Sequence, residues 1–227
     1  MTDQSVTKVD ATMATRRPVT KKSPARSEND RQAKFQAILD AALEVFLDKG
    51  FAEARLDDVA ARAGVAKGTI YLYVPSKQGL LEALVKSGIG GAIGTIERKV
   101  LALDVPAEEQ LRTLFVFLRE EVLGTRRVEN VRLLLREAPR FPELAEIYHR
   151  EVISRGLGLL RTIAARGVAR GEFASDELVR FPQLAIAPGL VALLWTSLFQ
   201  RLEPIDVGAM LEAHLGLMMK ALKGPPS

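Results

Sequence analysis

Between Gly64 and Lys77 the chain reads GVAKGTIYLYVPSK, and this stretch holds two of its three tyrosines with a lysine on either side. Hydroxyl and ammonium groups at that density suit a row of phosphate oxygens. Thr69, Tyr71 and Tyr73 carry donors on short or rigid side chains that lose little entropy when fixed. Lys67 has the reach for a guanine edge or a phosphate. Lys77, beyond Pro75-Ser76, is placed to neutralise the backbone from the far side. Gly68 removes a side chain where a duplex backbone would approach, and N–H groups at a helix start favour an anion. The competing use of the tyrosines is as filling for a small core, because buried tyrosine also finds partners.

Those residues need elements to hold them. From Arg31 the pattern is helical: Phe35, Ile38, Leu39, Ala42, Leu43 and Phe46 recur at three- and four-residue spacing, which predicts a helix over 31–49 ended by Gly50. A short helix over 56–63 places Leu56, Val59, Ala60 and Ala63 on one face. Gly64 follows where a sharp turn needs a residue tolerant of positive φ. A third helix over 67–73 turns Ile70 inward, with Val65 and Val74 flanking it, and leaves Lys67, Gly68, Thr69, Tyr71, Leu72 and Tyr73 outside. Ser76 caps a fourth helix from Lys77. Two short helices across a glycine turn form a helix-turn-helix unit. Any small helical bundle offers the same spacing, and the polar outer face of the third helix favours DNA.

The segment LDDVAARAGVAKGTIYLYVPSKQGLLEALV, Leu56 to Val85, resembles the DNA-binding signature of the TetR family of transcriptional regulators, and the resemblance extends over about 31–90. It implies an all-α protein: an N-terminal three-helix helix-turn-helix domain plus a larger helical ligand-binding and dimerisation domain. It also implies a cytoplasmic homodimer, without enzymatic activity, that represses by holding a palindromic double-stranded DNA operator and releases it on binding a small effector; the alternatives are a DNA-binding regulator without an effector and a helical enzyme acting on an apolar substrate. Carried over by position, the implied DNA contacts are Arg55, Lys67, Gly68, Thr69, Tyr71, Leu72, Tyr73 and Lys77. Three positions depart from the family pattern. Arg55 replaces a usual capping threonine, Ala66 a common serine and Val74 a usual phenylalanine, so the caps and the core plug differ.

The expected organisation is a basic arm over 1–30, a DNA-binding domain over 31–91 and an effector and dimerisation domain over 92–227. ATRRPVTKKSPAR, residues 14–26, carries five basic residues and no acidic one. Its composition cannot support a core, so the arm is expected to be disordered, either touching DNA or forming a solvated tail. No apolar run that would make a secretory signal precedes residue 30. In KSGIGGAIGT, Lys86 to Thr95, glycines interrupt a helical pattern at a cost of about 1 kcal/mol each, which marks either a soft segment or a close helix contact.

Beyond Pro106 the pattern predicts helices over 107–124, 128–138, 142–170, 175–202 and 206–222. FPQLAIAPGLVALLWTSLF, Phe181 to Phe199, is uncharged and near the length of a membrane span. Its two prolines and polar residues favour a soluble helix buried on both sides. With the wide apolar face of the last helix, it is expected to pair with a second copy in a four-helix interface. Phe115, Leu118, Tyr148, Val152, Trp195 and Phe199 are the candidate lining of an effector pocket, alongside Phe117 and Leu133, and an apolar lining would suit an apolar ligand.

The chain of 227 residues is 48% apolar and 26% charged, with a net charge of +4. It has no cysteine, which excludes disulfides and thiolate chemistry. His149 and His214 lie far apart, too few for a metal centre. No phosphate loop, nucleophile elbow or triad order appears, and Glu120, Glu121 and Glu137 read as solvated faces or ion pairs rather than a catalytic pair. No cofactor is expected.

Overall fold

A computed structural model describes residues 24–224, with side chains from 28 onward, and all regular structure among these residues is helical. The protein is all-α. The first helix, α1 (Pro24–Glu53), begins ahead of the expected start at 31 and takes in 24–30 of the segment expected to be disordered; residues 1–23 of that arm lie outside the described residues. Gly50 adopts φ 78°, and helical geometry breaks there as the sequence predicts.

Two short helices follow, α2 (Leu56–Ala63) and α3 (Lys67–Tyr71). Gly64 joins them in the left-handed region at φ 65°, ψ 32°, a conformation that side chains with a Cβ resist. Ile70 and Val74 are buried from α3 and its end, and Val59 and Ala60 from α2. Ser76 accepts a hydrogen bond from the Gly79 N–H at 3.0 Å, capping α4 (Lys77–Val85). At the start of α2, Arg55 has no acceptor to offer. Its N–H instead donates to the Asp58 carboxylate at 3.1 Å, and Lys49 holds that carboxylate at 2.8 Å. The hydrogen bond from Lys49, then that from the Arg55 backbone, holds the Asp58 pKa below its usual value.

The chain then continues without a break through π1 (Lys86–Gly90), wound in the wider π form, and α5 (Gly91–Leu101). The expected domain boundary at 91/92 therefore falls inside one continuous helix. The glycine run resolves as a close contact. A Cβ on Gly90 would sit 3.3 Å from the Glu151 carbonyl oxygen and one on Gly94 2.7 Å from Arg155 Nη2. Lys77–Leu101 is long and apolar enough to cross a bilayer by composition, but Leu80, Leu81, Leu84, Val85, Ile89 and Ile93 bury its inner face in the core.

The remaining helices are α6 (Ala107–Phe117), π2 (Leu118–Leu123), α7 (Val128–Glu137), α8 (Pro142–Tyr148), π3 (His149–Ile153), α9 (Ser154–Ala169), α10 (Glu177–Arg180), α11 (Gln183–Leu198) and α12 (Val207–Lys223). The helix expected over 175–202 is split, because Phe181 precedes Pro182 and leaves the helical region at φ −127°, ψ 65°, as residues before proline tend to do. What remains, α11, has 16 residues, short of the roughly 20 a spanning helix needs.

Pro188 lies inside α11 and cannot donate to the Leu184 carbonyl. His214 Nε2, from α12, sits 3.1 Å from that oxygen and supplies the missing donor, with its ring stacked on Phe115. Two apolar clusters result. One joins α1–α4 and π1 to residues of α7 and α8; the other joins α5, α6, α9, α11 and α12.

Candidate nucleic-acid interface and effector cavity

The residues expected to meet DNA divide by exposure. Tyr71 is 50% and Leu72 75% exposed, large apolar surface that no core claims. Arg55, Lys67 and Gly68 are exposed with them, and Thr69 is half-buried. A Cβ on Gly68 would meet nothing within 4 Å, so packing inside the protein does not require glycine there. Lys67 Nζ pairs with Asp57 at 2.8 Å, and this hydrogen bond raises its pKa. Both partners are solvated, and exposed pairs are worth little, so a phosphate can displace the carboxylate.

Two of the expected contacts face inward. Tyr73 is half-buried, and its ring lies parallel to Phe35 with centroids 4.8 Å apart. That is the core-filling role the sequence left open, and it applies to one tyrosine of the pair. Lys77 departs further from expectation. Its ammonium donates to the carbonyls of Phe51, Ala52 and Ala54 at 2.7, 2.9 and 3.0 Å, and stands 4.8 Å from the Phe51 ring centroid. An ammonium has three donors, and all three are spent closing the C-terminal end of α1. Lys77 is thus a clamp on that helix end, where unpaired carbonyls and the helix dipole favour a cation.

A second cation grips the same helix from the other side. Arg136, on α7, donates to the carbonyls of Phe46 and Leu47 at 2.6 and 2.8 Å and to the Glu137 carboxylate at 2.9 Å. Glu137 is buried, so of the two roles the sequence offered it, a solvated face or an ion pair, it takes the ion pair, with Arg136. Nearby, Glu44 of α1 bridges Arg126 at 3.0 Å and Arg62 of α2 at 3.3 Å.

The opposite face of α7 borders a cavity of about 350 Å³. Ile89, Ile93 and Ile96 line it from the long helix, Phe115, Phe117 and Leu118 from the α6–π2 run, and Val131, Leu134 and Leu135 from α7. Tyr148, Val152 and Ile153 close another side, and Ile186, Gly189, Leu190 and Leu193 enclose it from α11. Leu135 and Leu190 are exposed and mark where it reaches the surface.

Of the expected lining residues, Phe115, Leu118, Tyr148 and Val152 are in place. Trp195 and Phe199 are not among the residues that line it. They pack edge to face at 5.2 Å near the end of α11, where Trp195 Nε1 donates to the Glu203 carbonyl at 2.7 Å, and Phe199 is exposed. Leu133, also weighed as lining, is core. The isoleucines were visible in the sequence only as one face of a helix; nothing local told a cavity wall from a packed core.

The comparisons with known proteins agree with this geometry. The family described as "Bacterial regulatory proteins, tetR family" matches residues 38–84. Residues 38–84 are thus similar to the DNA-binding domain of the TetR family. The Bacillus subtilis (strain 168) fatty acid metabolism regulator protein is 37% identical over 70 residues, which are 31% of this chain and 36% of that protein. The chain thus spans about a third of that relative's length. Over the fold as a whole, the transcriptional regulator FadR from Bacillus subtilis, solved in complex with stearoyl-CoA, superposes with TM-score 0.60 at 24% identity, covering 83% of this chain and 99% of that one. FadR from Bacillus halodurans, described as a fatty acid degradation regulator, does so with TM-score 0.64 at 22% identity over the same shares.

Proposed function

We propose that the protein is a homodimeric, ligand-responsive transcriptional repressor of the bacterial cytoplasm, which holds a palindromic DNA operator and releases it when a mostly apolar small molecule enters the cavity. One observation carries this reading. The helix from Lys77 to Leu101 is core to the DNA-binding unit at one end, through Leu80, Leu81 and Leu84, and wall of the cavity at the other, through Ile89, Ile93 and Ile96. A ligand that displaces the wall moves the unit carrying α3. The largest shift it can drive is set by its differential affinity for the two arrangements.

Dimerisation through α11 and α12 is supported by an unpartnered stripe. Leu184, Val191, Leu194 and Leu198 are each about half or more exposed and share one helical face of α11, and Leu217 is exposed on α12. A second copy would cover it and set two α3 helices one helical turn apart, in successive major grooves. Tyr71 and Thr69 then hold phosphates, Lys67 and Leu72 face base edges, and Arg55 adds charge at the flank. The relatives named for fatty acid metabolism direct attention to aliphatic effectors.

The test is a footprint of the purified protein on the DNA flanking its own gene. The expected result is a protected palindrome with half-sites one turn apart, lost on adding the effector. No protection at any salt concentration overturns the reading.

A further inference from the structure

Of the 24 residues lining the cavity, Tyr148 alone has a polar side chain; the rest are hydrocarbon or glycine. Tyr148 is 3% exposed, and among the described residues its hydroxyl has no hydrogen-bond partner. The hydroxyl is not sealed in the core either. The one fully enclosed, unpartnered side-chain polar atom among these residues is Asn130 Oδ1, so the phenol oxygen keeps some accessible surface on a residue that lines the cavity. Burial pushes the phenol pKa upward, which keeps it a neutral donor at any physiological pH. A buried hydroxyl without a partner is costly, and a ligand oxygen placed against it removes that cost.

The cations near the cavity are occupied elsewhere. Arg155 donates to the Gly90 carbonyl and Glu97, Arg132 to Glu129 and Ser197, and Arg150 to Glu82 and Glu151. None of them lines the cavity. An anionic head drawn inside would lose its hydration with no countercharge, a far larger cost than for a neutral group. Size adds a second limit. With a methylene taken to fill about the volume of a water, roughly 30 Å³, 350 Å³ admits about a dozen non-hydrogen atoms.

Resting on the effector reading above, we infer that the cavity selects a neutral aliphatic molecule of about a dozen non-hydrogen atoms with one hydrogen-bonding oxygen, an alcohol, aldehyde or ketone, held by the Tyr148 hydroxyl. A carboxylate of the same chain length is disfavoured. A long acyl thioester fits only with its head and much of its tail outside.

The experiment is calorimetric titration of the full-length protein without DNA, which separates this inference from operator binding. The probes are 1-decanol, 2-decanone and decanoate at pH 7.5. Decanol and decanone are expected to bind at least about tenfold more tightly than decanoate. Tyr148→Phe, which keeps the ring, is expected to weaken decanol about three- to tenfold. Decanoate binding as tightly as decanol overturns the inference, and needs no variant. Decanol affinity unchanged in a folded Tyr148→Phe protein also overturns it, by removing the residue that reads the oxygen.

Discussion

The proposed recognition surface and the cavity are built on opposite plans. The surface lies at the start of α2 and on α3, neighbours in sequence, and the exposed side chains of Arg55, Lys67, Tyr71 and Leu72 point outward. The cavity is a space left between helices drawn from residues 89 to 193, and nearly all its lining is hydrocarbon. A function carried by projecting polar groups is written locally. A function carried by a void depends on how distant helices fail to touch. The two plans meet at the C-terminal end of α1, which Lys77 holds from the DNA-binding side and Arg136 from the cavity wall.

Removing either grip sharpens that contrast. Lys77→Met, which keeps the apolar stem and deletes three charge-assisted donors, is expected to cost about 2–4 kcal/mol. Denaturant unfolding reads it, and affinity for all DNA sequences should fall together. If stability holds and only the salt dependence of binding drops by about one unit of slope, Lys77 belongs to the interface after all. Arg136→Met is expected to cost about 1–3 kcal/mol and leave Glu137 buried without its partner. Its diagnostic effect is on coupling: the effector should bind as before yet release less DNA, measured by operator titration at saturating ligand.

Tyr71→Phe removes one hydroxyl from an exposed ring. DNA affinity is expected to fall about two- to tenfold, equally across sequences, because phosphate contacts carry no sequence information. A change confined to one operator would reassign Tyr71 to base reading. Smallest is an acid effect. Hydrogen bonds from Arg126 and then Arg62 hold the Glu44 pKa below its usual 4.5. A lowered carboxylate stabilises fully above that unperturbed value and loses the contribution as pH falls through the lower folded one. Melting temperatures taken from neutral pH to below 4.5 should therefore converge with those of Glu44→Gln at the acid end, and a constant gap would refute the bridge.

Much of the DNA-binding unit was legible. The spacing of Ile38, Leu39, Ala42 and Phe46, the turn at Gly64 and the cap at Ser76 are short-range rules, and each is met. The same rules misassigned Lys77. Its type and place suit a phosphate, but the end of α1 lies nearer in space than any sequence distance suggests. Trp195 and Phe199 failed as pocket residues for a related reason. Aromatic content marks apolar surface without saying which cavity, if any, it borders.

The sequence by itself determined the helix-turn-helix elements, the glycine turn and the family resemblance of residues 38–84, because backbone propensity and periodicity act over a few residues. Only the tertiary structure decided which cations are spent on helix ends, that His214 serves the carbonyl Pro188 leaves bare, and that Tyr148 lines the cavity. Those outcomes depend on separations of tens of residues closed to about 3 Å. Nothing in a linear pattern encodes which carbonyl or void a side chain will find.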